Sequence, residues 1–198
     1  TNAILGQTGS STADEIRFLA TLIAKENLVL AGWPIFIRVF QLLGEVEAEL
    51  LCEEGAPVCS GDTVGRLEGK ASLLLKGERV ALNFMQRMCG VATLTRSYVE
   101  RVSHTQAKVL DTRKTTPLWR ALEKYAVRVG GGNNHRFGLD DGILIKENHI
   151  AVAGGVREAI EACQSSMNHL QRVEVEVRNY QEIRQALSAG AAIILLDN

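Results

Sequence analysis

The chain has 198 residues, 46% of them hydrophobic and 5% aromatic, with a net charge of −1. That suffices for one large domain or two small ones with real cores, and it excludes a disordered chain. A near-neutral, aromatic-poor composition also argues against a nucleic-acid surface, which would show as a basic or basic-and-aromatic face. The most apolar run, residues 28–43, carries Gly32, Pro34 and Arg38 and is too short and interrupted to span a bilayer; no signal peptide is visible. Four cysteines, Cys52, Cys59, Cys89 and Cys163, lack paired metal-ligand spacing. They read as reduced, mostly buried thiols of a cytoplasmic protein.

From Arg17 to Leu51 the pattern predicts sheet with one intervening helix: strand-rich sequence over 22–31, a helix over 34–43, and a strand with one wet face over 45–50. After turns at Gly55 and Gly61, a strand is expected over 62–68 and a long helical region over 73–101, broken near Gly90. These elements make an N-terminal α/β unit over residues 1–82. Over 83–198 the rhythm becomes strand and helix in alternation, with strands at 108–110, 142–145, 172–177 and 191–196. Thr116 and Pro117 read as an N-cap and first helical residue, with Leu118, Leu122, Tyr125, Ala126 and Val129 on one face and Gly130 as the stop. Asn179 and Glu182 resemble a capping box, with Ile183 and Leu187 facing inward.

Repeated βα units imply a parallel sheet with right-handed crossovers. The charged residues then fall at carboxyl ends of strands, where α/β barrels and open α/β sheets build their sites: Arg113 and Lys114, Lys146, Glu176 and Asp197. Short strands that each contribute a residue favour the barrel.

The segment 65–71 superficially looks like a phosphate loop, but its glycines are one residue too close and the Ser/Thr for magnesium is missing, so it reads as a turn. No dinucleotide-binding glycine motif, metalloprotease helix or nucleophile elbow is present, and covalent catalysis has no visible nucleophile. Gly130, Gly131 and Gly132 suit a helix stop and equally a close backbone approach to a ligand. Arg113, Lys114, Arg136 and Lys146 form a like-charge set that is costly without an anion, and arginine forks match carboxylates while lysine suits phosphate. His135 either donates to a carboxylate or caps a loop; His149 and His169 read as structural. Glu174 and Glu176 share a strand face among Val173, Val175 and Val177, which places both in a barrel interior. Glu176 and Asp197 could together hold magnesium or ribose hydroxyls.

Eight segments carry a resemblance to one family. They are Gly77-Glu-Arg79-Val-Ala-Leu-Asn83, Cys89-Gly-Val-Ala-Thr93, Asp111-Thr-Arg113-Lys114-Thr-Thr-Pro117, Glu123-Lys-Tyr-Ala126, residues 130–136, Ile145-Lys146-Glu-Asn-His149, Val173-Glu-Val-Glu176-Val and Leu195-Leu-Asp197-Asn198. In order and spacing the chain resembles quinolinate phosphoribosyltransferase, also called nicotinate-nucleotide pyrophosphorylase (carboxylating). The resemblance implies an N-terminal α/β sandwich domain followed by an open, TIM-like α/β barrel. It implies transfer of phosphoribose from phosphoribosyl pyrophosphate to quinolinate with decarboxylation, giving nicotinate mononucleotide, CO2 and pyrophosphate for NAD synthesis.

It further implies that Arg113, His135, Arg136 and Lys146 line the quinolinate site. Arg79 is delivered across the interface of a homodimer or higher even oligomer. Lys114 and Lys146 meet phosphate or pyrophosphate, and Glu176 and Asp197 face the ribose and its Mg2+; Lys114, Glu176 and Asp197 are the implied catalytic set. Leu118 and Trp119 stand where the family more often has glycine and a bulky residue, Cys89 replaces a common serine and Glu147 a common aspartate. The opening Thr1, and Asn198 directly after a strand-like run, lead us to expect a chain truncated at both ends. Three alternatives follow: a phosphoribosyltransferase taking nicotinate, a non-catalytic relative, and an inactive fragment.

Overall fold

The computed structural model describes residues 2–7, as backbone, and residues 17–197. Thr1 and Asn198, which prompt the expectation of truncation, lie outside the described residues. The chain divides into two compact units, one running to His135 and one from Arg136 on.

The first unit is built on an antiparallel sheet of order β1-β2-β6-β4, formed by β1 (Asn2–Gln7), β2 (Arg17–Ile23), β4 (Val46–Leu50) and β6 (Thr63–Lys70). The short strands β3 (Leu28–Val29) and β5 (Pro57–Val58) pair separately. Strand β2 stops at Ile23 because Ala24 turns to bond Asp62 and Gly61, so the strand-rich sequence expected over 22–31 is split in two. Helix α1 (Trp33–Gln41) and helix α2 (Ala71–Val102) supply Phe36, Phe40, Leu74, Leu82 and Met85 to a core shared with Leu22, Val64 and Leu67 of the sheet. Residues 65–70 belong to β6 and are not the expected turn. A Cβ at Gly65 would sit 2.7 Å from the Trp33 ring, so this glycine lets an aromatic ring lie on the strand.

Helix α2 runs unbroken through Gly90, contrary to the break expected there. One glycine costs a helix only ~1 kcal/mol. The buried face formed by Met85, Met88, Cys89, Ala92 and Thr95 outweighs that cost. The expected strand over 108–110 reduces to a single parallel bridge between Leu110 and Asn133.

Helix α3 (Arg120–Val129) begins later than Thr116 and Pro117 suggest. The Thr116 hydroxyl and amide are used by the Glu123 carboxylate, and Leu118 adopts φ 66°, which ends any helical path through it. Leu118 therefore lies fully exposed, whereas Leu122, Tyr125, Ala126 and Val129 pack with Met88 and Ala92 of α2 as expected.

The helix stop is divided among three glycines. Gly131 takes the left-handed turn at φ 91°, and the amides of Gly131 and Gly132 return to the carbonyls of Arg128 and Val127. Gly130 is needed for proximity, since a Cβ there would lie 2.5 Å from the Ala92 carbonyl oxygen, and at Gly132 one would meet Thr95 and Val127 at 2.8 Å. The glycine run thus has a complete packing explanation. Gly130→Ala is expected to destabilise the chain by about 1–3 kcal/mol in denaturant melts, through overpacking against α2.

The second unit holds a parallel sheet of order β7-β8-β9, formed by β7 (Ile143–Ile145), β8 (Val173–Val177) and β9 (Ile193–Leu196). Helices α4 (Glu147–Ala153), α5 (Val156–Ser166) and α6 (Tyr180–Ser188) connect the strands. Val173, Val175 and Val177 are buried with Ile160, Ala159 and Ala186 of the helices. Asn179 caps α6 by accepting from the Glu182 amide, but the reciprocal bond goes to the Arg178 amide, one residue before the expected box. Ile183 packs inward as expected; Leu187 is 62% exposed, and Ala186 takes the inward position instead.

Candidate functional site

In the first unit the chain following the Leu110–Asn133 bridge carries Arg113 and Lys114. The Arg113 carbonyl accepts from the Thr115 amide at 2.9 Å and from the Arg120 guanidinium at 3.4 Å, which fixes the loop's path. Arg113 Nε is buried and has no hydrogen-bond partner among the described residues. A buried donor without an acceptor costs about 1–3 kcal/mol, so the loop favours an incoming anion. Lys114 is exposed. Arg79 lies on the exposed face of α2.

His135 is held through its backbone. Its amide donates to Asp111 Oδ1 at 2.8 Å, and its carbonyl accepts from Lys124 Nζ at 3.0 Å. Lys124 Nζ also donates to Asp111 Oδ1, and Asn134 Nδ2 donates to Asp111 Oδ2 and to the Lys124 carbonyl. Asp111 and Lys124 lie within segments quoted for their resemblance, yet their own chemistry is not legible in the sequence. A lysine on a ten-residue helix reads as solvated, and Lys124 is only 3% exposed. The signal that could find it is its partner, an aspartate placed one residue after a short apolar run.

Cys89 lies outside any such chemistry. Its Sγ sits 3.3 Å from both the amide and the carbonyl of Ala31, and burial pushes the thiol up to about 11, so it is neutral near pH 7.

In the second unit Lys146, Glu176 and Asp197 all occur at carboxyl ends of the parallel strands: Lys146 directly after β7, Glu176 next to last in β8, and Asp197 directly after β9. The alternation of β8 buries its valines against the helices and leaves Glu174 and Glu176 half-buried on the opposite face. Lys146 Nζ reaches Glu176 Oε2 at 2.8 Å, which brings together two of the predicted residues. The Lys146 backbone amide donates to His149 Nδ1 at 2.9 Å, so His149 has the structural role expected of it. Arg136 donates to the Gly142 carbonyl at 3.0 Å. The Asp197 amide bonds the Val177 carbonyl at 3.0 Å, fixing that residue beside the end of β8.

Among the described residues no three or more His, Cys, Asp or Glu side chains form a group able to hold a metal ion by themselves. Glu176 and Asp197 supply two carboxylates, the number with which Mg2+ is commonly held when substrate oxygens and water complete its octahedron. By its chemistry alone, a pair of carboxylates is a donor set that Mg2+ accepts. No described helix is long and apolar enough to cross a membrane.

Two family models match the chain: quinolinate phosphoribosyl transferase, N-terminal domain, over residues 7–89, and quinolinate phosphoribosyl transferase, C-terminal domain, over residues 91–198. A probable nicotinate-nucleotide pyrophosphorylase [carboxylating] of Bacillus subtilis is 46% identical over 180 residues, which are 90% of this chain and 62% of that protein. The human nicotinate-nucleotide pyrophosphorylase [carboxylating] is 40% identical over 181 residues, 90% of this chain and 61% of that protein. The crystal structure of NadC from Streptococcus pyogenes superposes with a TM-score of 0.87 at 46% identity, covering 92% of this chain and 65% of that one. The chain thus spans somewhat less than two thirds of each of these relatives.

Proposed function

The chain belongs to the quinolinate phosphoribosyl transferase family, and from that premise we propose that it transfers phosphoribose from phosphoribosyl pyrophosphate to the ring nitrogen of quinolinate. The C–O bond to pyrophosphate breaks, the C–N bond forms, and loss of CO2 leaves nicotinate mononucleotide, a precursor of NAD. The observation that carries this reading is the placement of Lys146, Glu176 and Asp197 at the carboxyl ends of β7, β8 and β9, with Lys146 paired to Glu176 at 2.8 Å.

In the proposed mechanism Arg113, His135, Arg136 and Lys146 hold the two adjacent carboxylates of quinolinate, a ligand that needs several cations. Lys114 and Lys146 meet phosphate and pyrophosphate oxygens. Departure of pyrophosphate leaves oxocarbenium-like positive charge on the ribose, which the fixed carboxylates of Glu176 and Asp197 offset. Glu176 and Asp197 would hold Mg2+, directly or through ribose or water, and the ion would supply charge neutralisation on the phosphates. After ribosylation the positively charged pyridinium ring stabilises the electron pair left on the ring carbon as CO2 departs, and a proton from water then adds to that carbon, so the step needs no protein base. The proposal includes an N-terminal domain to about residue 82 and a catalytic barrel from 83, a homodimer or higher even oligomer in which exposed Arg79 reaches the neighbouring copy, and a cytoplasmic location.

The test is nicotinate mononucleotide formation by the purified chain with phosphoribosyl pyrophosphate, Mg2+ and either quinolinate or nicotinate. Quinolinate-dependent product with release of CO2 is the expected result. Product from nicotinate alone, or from neither acid, counts against the reading.

A further inference from the structure

The Asp111–Lys124 pair is among the most enclosed charge pairs in the described chain, with side chains 8% and 4% exposed. Burying both charges has a desolvation cost that good geometry only partly recovers, and well-packed apolar residues often serve a fold as well or better. Stability is thus a weak reason for charges at these two positions. Charges do offer something apolar side chains cannot: strong, directed bonds to backbone groups.

Here those bonds converge on one residue. Asp111 Oδ1 accepts from the His135 amide at 2.8 Å and Lys124 Nζ donates to the His135 carbonyl at 3.0 Å, so both peptide groups flanking the His135 Cα are gripped. Asn134 is tied to the same pair through its side-chain amide. Backbone bonds from Asp111 to Asn133 at 3.1 Å and from Asn133 to Val109 at 2.8 Å join the two segments on either side. Arg113 lies two residues beyond Asp111. A net-neutral clamp therefore holds together two segments, around Arg113 and around His135.

We propose that Asp111 and Lys124 are positioning residues that set the backbone at His135 for its contact with substrate. This rests on the reading of His135 as a quinolinate contact. The single variant Lys124→Met leaves a carboxylate buried alone and can fail to fold, so the deciding variant is Asp111→Leu combined with Lys124→Met. Its thermal midpoint, the hydrogen exchange rate of the His135 amide, and calorimetric affinities for quinolinate and phosphoribosyl pyrophosphate are measured against the parent chain.

The expected result is a folded double variant with the His135 amide exchanging at least about tenfold faster. Quinolinate affinity falls at least about tenfold while phosphoribosyl pyrophosphate affinity stays within about twofold. A merely structural role would move both affinities together. A double variant that does not fold, or that folds with parental exchange at His135 or parental quinolinate affinity, overturns the proposal. A parent chain that binds no quinolinate counts against the proposed function alone, and the His135 exchange rate then decides the positioning role by itself.

Discussion

Replacing Arg113 with alanine is expected to weaken quinolinate binding by about two orders of magnitude, measured by calorimetric titration. Its loop is fixed at both ends: the Asp111 clamp precedes it, and the Arg113 carbonyl is held by Thr115 and Arg120. The loop backbone that carries the guanidinium thus has little entropy left to lose on binding. Its Nε is already withdrawn from water without a partner, so the desolvation cost is met before the ligand arrives. A charge-assisted fork to a carboxylate removed from one side typically costs ~3–5 kcal/mol, and 1.4 kcal/mol is a factor of ten. Arg113→Lys should recover only part of the loss, because an ammonium cannot present two parallel N–H donors. Unchanged affinity in Arg113→Ala would remove this residue from the site.

What the sequence makes legible follows from the physics of each element. The alternation of Val173, Val175 and Val177 with Glu174 and Glu176 predicts a strand with one face against helices, and β8 has that arrangement. The carboxyl-end placement of Lys146 and Asp197 comes from the same alternation of strand and helix. Where tertiary contacts decide, the sequence misleads. Thr116 has the chemistry of an N-cap, but its hydroxyl is taken by Glu123 from within the helix it was expected to open, and Leu118 at φ 66° forces a later start. Gly90 looks like a breaker only until the buried face of α2 is counted. Leu187 looks like core, but Ala186 takes the inward position among the residues packed with the β8 valines, and Leu187 is left exposed. Lys124 is invisible because its worth depends on Asp111, thirteen residues away in sequence and bonded to it in space.

Glu176→Gln is expected to lower kcat by about two orders of magnitude while leaving the fold intact, the range found when one fixed electrostatic group is removed from a reacting centre. The fold is spared for a local reason. The Glu176 side chain is 15% exposed, but Lys146, its partner at 2.8 Å, is 45% exposed and open to solvent screening, so the pair contributes only about 1 kcal/mol to stability. Glutamine keeps a carbonyl oxygen to accept from Lys146 and has nearly the same shape. What it lacks is the negative charge that, in the proposed mechanism, offsets oxocarbenium character as pyrophosphate departs.

The two partners of Lys146 also compete. In the proposed mechanism the Lys146 ammonium, which reaches Glu176 at 2.8 Å, is shared between that carboxylate and the incoming phosphates; in the Glu176→Gln variant it is held by a neutral acceptor and is freer to meet them. The KM for phosphoribosyl pyrophosphate should therefore stay level or fall as kcat drops, opposite to the joint rise in KM and loss of kcat expected from a disturbed site. Pyrophosphate release at the parental rate by Glu176→Gln would take Glu176 out of the chemistry and leave it a partner for Lys146 alone.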